Sequence, residues 1–442
     1  MGGGMARHTE NAAQQRQMHI NLFIFGCGHH RAAWRHPRSA VERVGDIAYL
    51  EELAQIAESG KLDAIFFADG HSADNPADGP RWFFEPLTAM AAISRATERI
   101  GLISTVSSTF FTPFHAARMM ASLDHISRGR MGWNVVTSMF DAEARNHGFE
   151  TMPDHDWRYA RAEEFIDAAL RLWDSWGDGA LKIDRQGVYA DPALVRPILH
   201  KGRHFRVDGP LTVPRPPQGH PVLFQAGASE QGRDLAARRA EAIYAVAYDL
   251  PAAQEYYRDI KRRVRAAGRS DPVPIMPGLV TYVGSTQAEA RAKQRELDEL
   301  LPPQDALRQL GLYVGQDCMD WELDAPVPAL PPLERFTGPK GRYATVLRIV
   351  ETEKPTLRQL LGRLAAGGGH CTMVGTPESI ADEMERWFLN EGADGFNLMP
   401  PALPGSIQDF VDHVVPVLQR RGLFRKDYQA STLRGHLGLA RP

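Results

Sequence analysis

The amino-acid sequence predicts a (β/α)8 barrel, also called a TIM barrel. From His19 onward, apolar segments of strand length alternate with longer segments of helical periodicity. Strands that are apolar along their whole length are typical of parallel sheets, because such sheets are buried on both faces. The chain carries eight strand–helix pairs, which is the number that closes a barrel. An open, doubly wound sheet is the alternative architecture.

The predicted elements follow one another in regular order until two insertions interrupt them. We predict strands at residues 19–26, 64–70, 100–107, 130–138, 221–227, 242–248, 275–284 and 395–400. We predict helices at residues 46–59, 86–98, 113–127, 158–176, from 229 onward, 252–267, 286–300, 375–392 and 406–420. Segments 177–220 and 301–370 lack this rhythm, so we expect long insertions after strands 4 and 7. We therefore interpret residues 19–425 as one barrel domain, with a flexible N-terminal tail at 1–18 and a C-terminal tail at 426–442.

Local signals mark the ends of several helices. Asp46 precedes a helix whose apolar residues share one face, and Gly60 follows it, so we expect Asp46 to cap the first turn. Thr376 followed by Pro377 is typical of a helix start, because proline fits the first helical position. These caps support the order of elements given above.

Composition excludes several classes of protein. The chain has 442 residues, 43% of them hydrophobic, and a net charge of −3. It can bury a large core, and its near-neutral charge does not favour nucleic acid as a partner. Three widely spaced cysteines (Cys27, Cys318 and Cys371) predict no disulfide framework and no metal site. No apolar run is long enough to cross a membrane and the N-terminus lacks a secretory signal, so we expect a cytoplasmic protein.

Polar residues at the predicted strand ends are candidate site residues, because barrel enzymes bind ligands at the carboxyl ends of their strands. Asp69 ends strand 2, Thr105 lies in strand 3, and Asn134 and Ser138 share one face of strand 4 by the two-residue period. A buried carboxylate or amide there needs a hydrogen-bonding partner, which a ligand would supply. The alternatives are a helix cap for Asp69, strand-end capping for the hydroxyls, and a backbone hydrogen bond for Asn134.

A second group of candidates predicts an anion site. Ser229 lies between Gly227 and Gly232, at a turn from strand to helix, where backbone N–H groups and the helix dipole favour a phosphate. His155 and Tyr159 are four residues apart and can share a helix face, although an ordinary surface helix start is the alternative. His29 lies just past strand 1, where it could face a substrate or belong to a surface loop.

Seven strings, in this order, resemble one known family. They are GHHRAAWRHP (28–37), FFADG (66–70), ASLDHISRGRMGWNVVTS (121–138), DAEARNHG (141–148), HDWRYARAEEF (155–165), GPLTVPRPPQGHPVLFQAGASEQGRDLAA (209–237) and VGTPESIAD (374–382). The chain resembles the flavin-dependent large component of two-component monooxygenases, the group of nitrilotriacetate and dibenzothiophene-sulfone monooxygenases in the bacterial-luciferase-like superfamily. The stretch around residues 133–148 is more similar to the sulfone branch.

The resemblance implies a barrel that uses O2 and reduced FMN, supplied by a separate NAD(P)H:FMN reductase, to oxygenate a small organic substrate at a C–S or C–N bond. It places flavin contacts on a set of six residues: Asp69, Thr105, Asn134, His155, Tyr159 and Ser229. It places Ser138 and His29 on the catalytic, substrate side. It also implies a homodimer or homotetramer. A deazaflavin-dependent reductase or dehydrogenase of the same superfamily and a flavin-binding protein without turnover are the alternatives.

Overall fold

A computed structural model describes residues 16–73, 76–81, 83–336 and 340–442, and it contains a closed barrel of eight parallel strands. The barrel strands are β1 (His19–Ile24), β2 (Ala64–Phe67), β3 (Gly101–Ser107), β4 (Met131–Val136), β7 (Val222–Gln225), β8 (Ala242–Ala245), β9 (Ile275–Val283) and β11 (Gly395–Leu398). Each strand pairs in parallel with its neighbours, and the ring closes where β11 pairs with both β9 and β1. The predicted (β/α)8 barrel and its eight strands are confirmed.

Helices follow the strands and surround the barrel. They are α1 (Ile47–Ser59), α2 (Pro86–Ala96), α3 (Pro113–Ile126), α4 (Asp141–Arg145), α5 (His155–Trp173), α6 (Glu230–Arg239), α7 (Leu250–Ala266), α8 (Gln287–Glu299), α9 (Pro303–Val314), α10 (Lys340–Glu353), α11 (Leu357–Ala365), α12 (Pro377–Leu389), α13 (Gly405–Asp409), α14 (Val415–Arg420) and α15 (Leu433–His436). A π-helical stretch, Phe410–Val414, joins α13 to α14. The Asp46 side chain accepts from Ala48 N and the Thr376 side chain from Ser379 N, as their cap positions predict.

Strand side chains alternate between two hydrophobic cores. Phe66, Ile103 and Phe224 point into the barrel, whereas Leu102 and Trp133 belong to the larger core between strands and helices. The indole of Trp133 packs edge-on against Trp173 of α5, at 5.1 Å between ring centroids. This alternation is the two-residue period of a strand, and it places Asn134 on the inner face opposite Trp133.

The C-terminal residues close the lower end of the barrel, where the strands begin. Leu433 in α15 is fully buried, and it fills the space that side chains at Gly101 and Gly132 would otherwise occupy. The Arg434 guanidinium is buried and pairs with Glu241. Residues 426–442, interpreted from the sequence as a tail, therefore contribute to the packed structure. The N-terminal stretch 1–15 lies outside the described residues.

The two insertions have regular structure. Residues 177–220 contain a short antiparallel hairpin, β5 (His200–Lys201) with β6 (Arg206–Val207). Residues 301–370 contain α9, α10 and α11, which form a hydrophobic core of their own with Leu310, Tyr343 and Leu360 at its centre. After them comes a strand that the sequence did not predict, β10 (Cys371–Gly375), which pairs with the second half of β9 outside the ring. Within the described ranges, no helix has the length and apolarity that crossing a membrane requires.

Candidate functional site

A chain of hydrogen bonds crosses three neighbouring strands near their carboxyl ends, at the upper end of the barrel, which we call the mouth. Thr105 in β3 donates its hydroxyl to the backbone oxygen of Phe67 at 2.8 Å, and Asn134 in β4 donates its amide to Thr105 Oγ1 at 3.1 Å. Both side chains are buried. The amide oxygen of Asn134 is also buried, yet it has no hydrogen-bond partner in the described structure. An unsatisfied acceptor of this kind is costly, so it indicates a place where a ligand donates an N–H group.

A second cluster joins α5 to the turn before α6. The Ser229 hydroxyl lies 3.3 Å from the Tyr159 hydroxyl and caps α6 by accepting from Gly232 N at 3.1 Å. The rings of Tyr159 and His155 are 4.7 Å apart, because the helix begins at His155 and residues four apart share a face. The three side chains that the sequence singled out for an anion are thus brought together at a helix N-terminus.

Close backbone approach explains the glycines of that turn. A Cβ atom on Gly227 would lie 2.6 Å from the Cα of Gly232, which is too short for any real contact. The amide of Gln225, at the end of β7, accepts from Gly227 N at 2.7 Å and fixes the start of the turn. The first turn of α6 can therefore lie against Tyr159, whose hydroxyl oxygen would be 2.9 Å from a Cβ atom on Gly232.

Asp69 lies at the end of β2 and faces a histidine. Its carboxylate is 14% exposed, accepts from Gly70 N at 2.9 Å, and lies 3.1 Å from Nε2 of His71. Hydrogen bonding to that carboxylate raises the pKa of His71. His71 Nδ1 in turn lies 2.8 Å from Nε2 of His147. Asp69 is thus held by local partners at the edge of the barrel mouth.

His29 packs over the floor of the barrel from the loop after β1. Its Nε2 lies 3.0 Å from the backbone oxygen of Phe23, and its ring contacts those of Phe23 and Phe25. Since a carbonyl oxygen only accepts, Nε2 must carry the proton, and Nδ1 of the neutral ring is left as an acceptor. Burial lowers the pKa of His29 to about 4, so the ring is neutral at pH 7.

This burial predicts acid sensitivity. The ordinary pKa of 6.5 exceeds the folded value of about 4, so the unfolded chain binds the extra proton first and stability falls as the pH drops from 6.5 towards 4. The loss amounts to about 3 kcal/mol for His29. We expect His29→Gln to flatten the decline in urea-unfolding free energy between pH 7 and pH 5, whereas replacing the exposed His115 with Gln should not. An equally steep decline in the His29 variant would contradict the buried, neutral state.

Ser138 lies two residues beyond the end of β4, in a strained conformation. Its φ of 53° is in the left-handed region, which non-glycine residues seldom adopt. Its hydroxyl lies 2.9 Å from that of Ser107, and its backbone oxygen accepts from the Arg158 guanidinium. These contacts fix the Ser138 hydroxyl at the mouth, but no contact between Ser138 and His29 occurs in the described structure. Their predicted shared catalytic role stays a prediction.

Sequence reasoning missed three residues at the mouth. The Tyr244 hydroxyl, in β8, forms a hydrogen bond of 3.0 Å with Nε2 of His370. The two rings are stacked, with 5.5 Å between their centroids. Arg342 in α10 bonds the glycine turn that precedes His370. The three consecutive glycines before His370 could have indicated this histidine, since a glycine turn followed directly by a histidine is unusual. Nothing in the sequence indicates Arg342, because its partners are distant in the chain.

Together these groups define a barrel mouth suited to a flat, phosphorylated ligand. Donors at Ser229, Tyr159 and His155 match a phosphate, and the unpartnered Asn134 oxygen matches a ring N–H. The residues present thus fit a flavin mononucleotide. No group of three His, Cys, Asp or Glu side chains among the described residues is placed to hold a metal ion.

Comparison with known proteins defines the class of this barrel. The sequence model of the family described as luciferase-like monooxygenase matches residues 21–395. The chain belongs to this family and is a flavin-dependent monooxygenase.

Two relatives and one solved structure extend this assignment. The chain is 44% identical to nitrilotriacetate monooxygenase component A from Aminobacter aminovorans, over 97% of each chain. It is 40% identical to a dibenzothiophene-sulfone monooxygenase from Rhodococcus erythropolis, over 97% of this chain and 98% of the relative. The crystal structure of EDTA monooxygenase from a Chelativorans species superposes with a TM-score of 0.83 and 35% identity, over 96% and 99% of the two chains. The resemblance stated from the sequence is confirmed.

Proposed function

We propose that this monooxygenase uses reduced FMN, supplied by a separate NAD(P)H:FMN reductase, and O2 to oxygenate a small organic substrate at a C–S or C–N bond. The observation that carries the proposal is the junction of Ser229, Tyr159 and His155 at the start of α6. It supplies hydrogen-bond donors and a helix dipole to a dianionic phosphate, as FMN requires. The relatives named component A support a partner that supplies the flavin.

Each of the predicted flavin contacts has an assigned task in this proposal. Ser229, Tyr159 and His155 bind the phosphate, Asn134 accepts from the ring, and Thr105 holds the Asn134 amide in place. Asp69 fixes the ring edge from β2, where its local partners keep it in position. The rings of Phe23, Phe66 and Tyr244 contact one another and would form the aromatic floor of this site.

The chemistry is divided between the cofactor and the protein. Reduced flavin, when bound, supplies the two electrons with which O2 is activated for oxygen transfer. The buried aromatic floor excludes water from the reacting centre. His29 offers an unprotonated Nδ1 that can accept a proton from the substrate, and Ser138 offers a hydroxyl fixed by Ser107. We propose that both act on the substrate, with the copies of the chain assembled as a homodimer or homotetramer.

Dependence on a reductase is the direct test. Gly26 and Gly28, after β1, do not complete a Rossmann dinucleotide-binding fingerprint, because Arg31 stands where the third glycine belongs. We therefore expect the purified chain to oxidise NADH or NADPH negligibly, and an unrelated FMN reductase to restore NADH-dependent oxidation of substrate. Oxygen uptake and NADH absorbance, followed with and without the reductase against a panel of amines, thioethers and sulfones, measure this.

Rapid mixing separates the proposal from its alternatives. Reduced FMN bound to the protein should react with O2 and release less hydrogen peroxide when substrate is present. Rapid NADH oxidation by the chain alone would contradict the two-component scheme. If reduced FMN is oxidised at the same rate with and without the protein, a binding protein without turnover is favoured. Reduction of a deazaflavin without consumption of oxygen would favour the reductase.

A further inference from the structure

An arginine from the second insertion reaches the barrel mouth. Arg342 lies in the first turn of α10 and is partly buried. Its Nη1 donates to the backbone oxygen of Gly368 at 2.8 Å and lies 3.5 Å from that of Gly367. Its guanidinium also lies over the ring of Tyr313, at 5.3 Å from the centroid. The side chain is therefore held in one place by a backbone turn and an aromatic ring.

That turn connects Arg342 to the residues at the mouth. Gly367 N donates to the backbone oxygen of His29 at 3.3 Å, and His370 follows three residues later, stacked on Tyr244. Burial is the larger cause of the lowered pKa values of His29 and His370, and the positive charge of Arg342 lowers both further. Arg342 thus lies close to the mouth, above a group of neutral rings.

The charge of Arg342 has no counter-ion in the described structure. Other arginines around this region have one: Arg31 bonds Asp78 at 2.8 Å and Arg348 bonds Asp249 at 2.9 Å. Arg342 forms hydrogen bonds to carbonyl oxygens only, through Nη1. Its Nε and Nη2 have no hydrogen-bond partner among the described residues and are not sealed from solvent. One edge of the guanidinium is therefore free to bind a ligand.

We propose that Arg342 binds a carboxylate of the substrate, which makes the substrate a small organic acid with a nitrogen or sulfur atom near that carboxylate. This inference rests on the proposed function and adds the substrate class. A guanidinium edge matches the two oxygens of a carboxylate, and the pair is strong where solvent is partly excluded. The neutral His29 and Tyr244 rings below provide no competing anion, so they suit the uncharged part of the substrate.

Overall sequence identity does not decide the substrate class. This chain is 44% identical to the nitrilotriacetate relative and 40% identical to the sulfone relative, a difference of only four percentage points. Their substrates differ in charge, and Arg342 favours the charged one. The resemblance of residues 133–148 to the sulfone branch concerns β4 and α4, whereas Arg342 lies in the second insertion.

Binding measurements test the inference without turnover. We would titrate thiodiacetate, iminodiacetate and the neutral analogue thiodiethanol into the full chain by calorimetry, with and without saturating FMN. The native protein should prefer at least one of the two acids over thiodiethanol by tenfold or more. Arg342→Gln should weaken binding of that acid by roughly 10- to 100-fold and leave thiodiethanol and FMN unaffected. Arg363→Gln is the matched control, since Arg363 differs from Arg342 in having a counter-ion, Glu353 on α10.

Each other outcome overturns the inference. Unchanged acid binding in Arg342→Gln, or an equal loss for thiodiethanol, would exclude a carboxylate contact. A loss of FMN binding alone would assign Arg342 to the cofactor. Failure of both acids to bind the native protein would exclude the substrate class, while the reductase experiment would still decide the proposed function. If the Gln variant does not fold, Arg342→Lys decides: it should bind the acid several-fold more weakly, and undiminished binding would contradict the two-point contact.

Discussion

Replacing Tyr159 with Phe, or Ser229 with Ala, is expected to weaken binding of reduced FMN by roughly 5- to 150-fold each. The physical reason is the loss of one donor to the phosphate, worth about 1–3 kcal/mol in a site where water is partly excluded. The two hydroxyls lie 3.3 Å apart, so they can serve one phosphate group. Riboflavin lacks the phosphate, so its weaker binding should hardly change. Anaerobic titration of reduced FMN and reduced riboflavin into each variant measures the ratio of the two affinities.

Matched controls separate phosphate binding from stability. Thr376→Ala removes a helix cap of the same kind as Ser229, accepting from Ser379 N at 3.3 Å, but at α12. Tyr189→Phe removes an exposed hydroxyl in the first insertion. Both controls should leave the FMN-to-riboflavin ratio unchanged. If Ser229→Ala or Tyr159→Phe also leaves that ratio unchanged while only lowering stability, the phosphate lies elsewhere.

Replacing Arg425 with Met is expected to destabilise the fold by about 3–5 kcal/mol at neutral pH. Arg425 pairs with the carboxylate of Asp63, which is fully buried and also accepts from Ile20 N at 2.7 Å and contacts His19 Nδ1 at 3.0 Å. Removing the arginine leaves the buried negative charge of Asp63 with only a backbone N–H and His19 as partners, which do not offset the cost of burying that charge. The same ion pair ties the end of the chain to β1 and the loop before β2, so its loss should loosen the lower end of the barrel.

The pH dependence of this loss has a definite sign. Burial alone would raise the pKa of Asp63, but Arg425, His19 and the hydrogen bonds outweigh it and lower the pKa from 3.8 to about 2. The stabilisation is complete above pH 3.8 and disappears as the pH falls towards 2. Urea unfolding at pH 7 should therefore show the full difference between the native chain and Arg425→Met, and the difference should shrink below pH 4. The exposed Arg420→Met is the control, and a comparable loss there would refute a specific role for the buried pair.

Local patterns were sufficient to predict the main elements and several site residues. The eight barrel strands follow from apolar runs that are buried on both faces, and the caps at Asp46 and Thr376 follow from residues adjacent to their helices. Asn134 lies on the inner face because it is adjacent to Trp133, which faces outward, and successive residues of a strand point to opposite faces. The proximity of His155 to Tyr159 follows from helical spacing. All of these depend on residues close together in the chain.

Contacts between distant residues were decided only by the tertiary structure. No local pattern indicates that Leu433 fills the lower barrel, that β10 pairs with β9, or that Arg342 reaches the mouth, since each contact joins segments far apart in the chain. Such contacts depend on how whole elements pack, and packing accepts many sequences of similar volume and polarity. Local sequence patterns were therefore enough to predict the barrel, the order of its strands and the residues that we propose to bind the phosphate. Which charges stay unpaired around the mouth follows from the folded structure alone, because the pairing of a charge depends on every element that packs near it.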